Sequence, residues 1–200
     1  MKIPKFVQPE EVKRSLQQVS LYLTAWETLR SSIMERVKGF YTENWTIDEG
    51  KLRGKAGPEY KAKVIALHPK DELHACTLWL KENGALTEED VDGINMVRRH
   101  RNSIGHEIRD YIAGSDHEVD RDALMSIYGV VKKLDIWWLC EVELPCQEDV
   151  DQEDYEAARR GEAWGGYSAL LELILPIFDG DFEQLESLHE AFKKRAWVQP

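Results

Sequence analysis

The chain has 200 residues, 42% of them hydrophobic and 32% charged, with a formal net charge of −11. That is enough apolar material for one core, so a single domain over residues 1–200 is expected, and the acidic balance excludes a chain whose whole face clamps phosphate; any contact with nucleic acid has to be local. No apolar run approaches the roughly 20 residues of a membrane span, the N-terminus lacks a signal-peptide core, and Cys76, Cys140 and Cys146 form no Cys-x-x-Cys pair, which together predict a cytoplasmic protein with reduced thiols.

Over residues 10–41, Val12, Leu16, Val19, Leu23, Trp26, Ile33, Val37 and Phe40 recur at helical spacing behind Pro9, a favoured first-turn residue. They predict one long amphipathic helix. Near residues 44–58 the period is lost and Gly50, Gly54, Gly57 and Pro58 accumulate, which reads as a glycine-containing loop. Short helices are expected near residues 59–67 and 71–82, with Gly84 as a stop. Thr87 and Asp90 resemble a capping box that opens a helix running from 88 to about 113. A further amphipathic helix spans about 121–143 through Leu124, Ile127, Val131, Leu134, Trp138 and Leu139, closed by Pro145. Residues 141–156 hold eight acidic and no basic side chains and read as an acidic, solvated connector. Two last helices are expected at 167–178, where Pro176 should shorten or kink the element, and at 182–196. Strand-like alternation is absent at useful length, so the fold class is all-α, a helical bundle of about five to seven helices with one long N-terminal helix.

Within the helix from residue 88, Ile94, Val97, Ile104, Ile108 and Ile112 form an apolar stripe whose one vacant slot holds Arg101. At about 100° per residue Arg101 shares a sector with Val97, Ile104 and Ile108, whereas Asn95, Arg99, Asn102, His106 and Arg109 form a polar face. On one straight helix Arg101 and His106 are about 140° apart, so only a long arginine stem, a distortion near Gly105 or a second copy brings their heads together. A desolvated arginine needs a carboxylate, carbonyls or an anionic ligand, and Glu27 and Asp135, each near the apolar side of another helix, are natural candidates.

The segment Val97-Arg-Arg-His-Arg-Asn-Ser-Ile-Gly-His-Glu107 resembles the Arg-x4-6-His signature of HEPN (higher eukaryotes and prokaryotes nucleotide-binding) domains, including the polar residue directly after the arginine. The resemblance implies an α-bundle that dimerises with two such motifs facing a shared cleft. It also implies an endoribonuclease of toxin–antitoxin or abortive-infection defence, working without metal or cofactor, with RNA, a second copy and an antitoxin or regulatory protein as partners. Arg101, Asn102 and His106 would be its catalytic residues, with Arg98 and Arg99 adding substrate-binding charge. Those residue types suit the reaction. Attack by the RNA's own 2′-hydroxyl needs proton transfer, which a histidine provides near neutrality at about 10²- to 10⁴-fold in rate, and a planar guanidinium matches the phosphorane oxygens. The alternative is an inactive helical module of the same family that binds nucleotide or RNA, or scaffolds a partner. Some toxins of the family carry a modifiable tyrosine two residues after the histidine; Ile108 stands there in this chain.

The remaining signals have structural readings. Glu186-x-x-His189 and Asp71-x-x-His74 are isolated where a di-iron bundle needs two such pairs and two further glutamates, so no metal site is expected. Trp26, Trp137 and Trp138 read as core, and His100, next to Arg101, as a surface residue or a phosphate contact. Residues 51–70 carry six basic side chains against Glu59 alone, a solvated loop or an extension of an RNA track.

Overall fold

Helix α1 (Pro9–Phe40), 32 residues long, packs against five of the later helices. In the computed structural model, which describes residues 7–48, 51–114, 116–148, 150–161 and 165–196, it buries Val19, Tyr22, Ala25, Trp26, Leu29, Ile33 and Val37 along one side. Leu16 and Phe40, expected on that stripe, are 46% and 52% exposed, because the buried line runs through Ser15 and ends at Val37.

The segment expected as a loop at 44–58 is instead an antiparallel hairpin, β1 (Thr42–Asp48) and β2 (Lys51–Ala56), closed where Gly57 N–H donates to the Tyr41 carbonyl at 2.8 Å. Its strands are held by cross-strand pairing in antiparallel register; Ile47 is 77% exposed, and Ala56 packs against the core. Helix α2 (Pro58–Lys63), a 3₁₀ turn (Ile65–Leu67) and α3 (Glu72–Glu82) follow, with Gly84 in the left-handed region at φ 78° ending the run.

Helix α4 (Glu88–His106) starts on a true capping box between Thr87 and Asp90. The single helix expected to residue 113 breaks at Glu107 (φ −120°, ψ 25°), and a short α5 (Ile108–Ala113) takes a new direction. The break changes the helical phase: Ile108 is left 43% exposed, while Tyr111 turns into the core and meets Ser103 Oγ at 3.2 Å.

Helix α6 (Arg121–Trp138), capped by Asp120, continues into a π-helical turn (Leu139–Glu143) and a 3₁₀ turn (Leu144–Cys146). The acidic stretch 141–156 is therefore not a solvated connector throughout. Its later half enters α7 (Gln152–Arg159), and Cys140, Leu144 and Ala158 form a small cluster with Ile136, Leu139, Val150 and Tyr155, separate from the main core. Interspersed apolar residues turn inward while most carboxylates face water. Helix α8 (Gly166–Asp179) runs three residues past Pro176, whose position in the last turn removes one bond near an end that Gly180 closes at φ 75°. Helix α9 (Phe182–Ala196) completes the all-α bundle.

An ion pair between the half-buried Arg36 and the buried Asp135 ties three elements together. Arg36 Nη2 of α1 lies 2.9 Å from Asp135 Oδ1 of α6, and Asp135 Oδ2 accepts from the Ser168 N–H in the first turn of α8 at 2.9 Å. An aromatic group of Trp79, Trp138, Tyr41 and Phe40 fills the end of α1, with Trp79 and Trp138 stacked at 6.3 Å. Burial pushes the Cys76 thiol up to about 11, and Cys76, Cys140 and Cys146 are all unbridged. Among the described residues no helix is long and apolar enough to cross a membrane.

Candidate functional site

Helix α4 delivers the motif. Capped at one end and anchored by Val91, Ile94, Val97 and Ile104, it holds Arg101 half-buried on its inward side. The guanidinium lies beside Gly105, with Nη1 3.7 Å from where a Cβ on that residue would stand, and donates to Asn102 Oδ1 at 3.5 Å. A Cβ there would make only ordinary van der Waals contact, so the guanidinium's position does not depend on the glycine.

Arg101 lines an open cleft of about 490 Å³ between α1, the start of α3 and α4. Trp26 and Met34 of α1 and Leu73 of α3 supply apolar wall, while Arg30, Lys70, Arg98 and Asn102 add polar groups. The carboxylates here are already engaged: Arg98 pairs with Asp71, and Arg30 lies 3.6 Å from Glu27. Burial works against ionisation of Asp71, but bonds from Arg98 and from the His74 N–H outweigh it and hold its carboxyl below the usual range. Neither carboxylate expected to neutralise Arg101 does so, since Asp135 belongs to Arg36 and Glu27 to Arg30. The Arg101 Nε is buried with no hydrogen-bond partner. Among the described residues it is thus an unsatisfied buried donor at the edge of the cleft.

The other motif residues divide. Asn102 shares the cleft with Arg101, and Arg98 lines it while tied to Asp71. Arg99 is exposed and lines no wall of it. His106, exposed at the last position of α4, does not line the cleft; no hydrogen bond or ion pair links it to another described residue. The break at Glu107 therefore does not focus Arg101 and His106 of one copy on a single point.

His100 is turned away from the cleft. Its Nε2 accepts from the Asp120 N–H at 3.0 Å and its ring packs edge-on against Tyr22 at 4.9 Å. Arg30 comes from α1, and nothing in its local sequence joins it to the motif; Lys70, in the turn before α3, closes the basic stretch 51–70 that reads as a solvated loop or an extension of an RNA track. His68 and His74 pack edge-on at 4.8 Å, beside Asp71. Compared with protein-family models, with curated proteins and with solved structures, the chain matches none.

Proposed function

We propose that the chain is a metal-independent endoribonuclease of the HEPN type that cuts single-stranded or looped RNA. The carrying observation is Arg101: desolvated at Nε, facing an open cleft, and left without a carboxylate although both candidates lie on neighbouring helices. Its planar fork suits the non-bridging oxygens of a phosphate. In the reaction the 2′-oxygen attacks phosphorus as its proton passes to a base, the bond to the 5′-oxygen breaks, and that oxygen leaves with a proton. The product is a 2′,3′-cyclic phosphate. His106 supplies the proton transfer, Arg101 the charge on the phosphorane, and Asn102 orients the arginine that donates to it.

Because His106 stands outside its own copy's cleft, this reading calls for His106 of a second copy at the site, and so for a homodimer. The setting proposed is toxin–antitoxin or phage defence, with an antitoxin or regulatory protein as restraint. The same position of His106 also favours a second reading, a non-enzymatic module whose Arg101 cleft binds nucleotide or RNA, or scaffolds a partner. Cleavage of a single-stranded RNA in excess EDTA separates the two. His106→Ala should lower the rate by about 100-fold or more with RNA affinity retained, and Arg101→Lys should also collapse it. Equal rates for parent and His106→Ala, or a requirement for divalent metal, leave only the second reading.

A further inference from the structure

A second cavity, of about 600 Å³, opens beside the cleft on the other side of the chain segment Pro69–Glu72. Pro69 lines the second cavity and Lys70 the cleft, and Glu72 lines both, so one stretch of backbone is the wall between them. Three elements each send a lysine to the second cavity: Lys38 from the last turn of α1, Lys55 from β2 and Lys61 from α2. None of the three has an ion-pair partner among the described residues, whereas Lys63, one turn from Glu59 on the same short helix, is paired with it at 2.8 Å. The carboxylate lining the cavity, Glu72, already accepts from the Tyr60 hydroxyl at 2.8 Å. Ala56, Ile65 and Pro69 give apolar wall.

Lys70 and Arg101 in the cleft, and Lys38, Lys55 and Lys61 beyond the wall, thus make a run of cations without carboxylate partners across two adjoining cavities of a chain whose net charge is −11. Lysine is a hydrated point charge on a flexible stem and suits a phosphate backbone more than a fixed small-molecule pose. Local positive charge this strong against an acidic whole selects a polyanion, and the aromatic rings here, Trp26 and Tyr60, are only 5% exposed, which argues against base stacking as the main contact. We propose that the Lys38–Lys55–Lys61 cavity holds the backbone of the single-stranded RNA segment adjoining the phosphate that meets Arg101. The inference rests on the reading of that cleft as an RNA site and deepens it: substrates are strands that extend past the scissile phosphate, bound with little regard for sequence.

The test is fluorescence anisotropy with a labelled 2′-O-methyl oligonucleotide of about a dozen nucleotides, which lacks the attacking hydroxyl, titrated over a range of salt. Compared with the parent, Lys38→Ala/Lys55→Ala/Lys61→Ala should bind at least about tenfold more weakly at low salt, with the slope of log affinity against log salt reduced by about 2, as three lost phosphate contacts on a single strand require. Lys63→Ala should bind as the parent does. A triple variant with the parent's affinity and slope overturns the track while leaving the cleft untouched, and a Lys63→Ala loss as large as the triple variant's overturns it as a bulk charge effect. Failure of the parent to bind removes both the track and the ribonuclease reading. Loss confined to the triple variant, in a parent that does not cleave RNA in EDTA, upholds the track and removes the ribonuclease.

Discussion

His100 accepts a backbone N–H at its Nε2, so a proton on that nitrogen would set two donors against each other across 3.0 Å. Burial lowers its pKa from the ordinary value, with Asp120 pulling the other way. The unfolded chain then holds this proton more readily than the folded one, so His100 should subtract stability as pH falls below about 6.5 and stop doing so once the folded imidazole titrates too. In urea unfolding, the parent should lose more stability than His100→Gln, which keeps an acceptor, between neutrality and about pH 5.5. Parallel losses in the two would show that His100 titrates alike in both states. Single residues were legible where a residue contradicted its surroundings: an arginine in an apolar stripe announced Arg101. Arg30 announced nothing, because an ordinary surface cation becomes a wall of the cleft only through the packing of α1 and α3 on α4, and Lys70 was legible only as one charge of the basic stretch 51–70.

Asp135 joins α1, α6 and α8 through Arg36 and the Ser168 N–H, and Gly165 just before α8 leaves room for its carboxylate, which a Cβ there would overlap. Asp135→Ala strands a partly buried guanidinium and the buried Ser168 N–H, so unfolding free energy should drop by about 1–3 kcal/mol. Gly165→Ala should destabilise in the same direction by pushing the carboxylate off both partners. Denaturant midpoints compared with the parent check both, and an unchanged midpoint for Asp135→Ala would mean that the three helices hold without the pair. Long periodic helices and their caps were readable from Pro9, Thr87, Asp90 and Gly84, since each carries its own local physics. The hairpin was not, because three glycines and a proline within 50–58 interrupt any alternation there. The break at Glu107 was not either: after it Tyr111 is buried and its hydroxyl meets Ser103 Oγ, which a continued helical period from residue 88 does not anticipate. Helix α7 was hidden by its charge, although Asp151 and Asp154 form a capping box as regular as that of α4.

The placement of Arg101 inside a cleft and His106 outside it makes the assembly, not the subunit, the unit of proposed activity. Light scattering at micromolar concentration should give about twice the 23.2 kDa of one chain, and a monomer cleaving RNA at full rate would remove the composite site. What the bundle as a whole adds is unequal cohesion. The large cluster runs from Val19 to Phe178 and binds α1, α3, α4, α6 and α8, while Cys140, Leu144 and Ala158 hold the acidic segment in a cluster of their own. The smaller cluster buries less apolar surface, so it is expected to open at a lower free energy than the larger, which amide exchange checks. Limited proteolysis of the native chain should then cut first within 141–156 while fragments containing the Arg101 scaffold persist, and first cuts elsewhere would show that the small cluster does not open ahead of the large one.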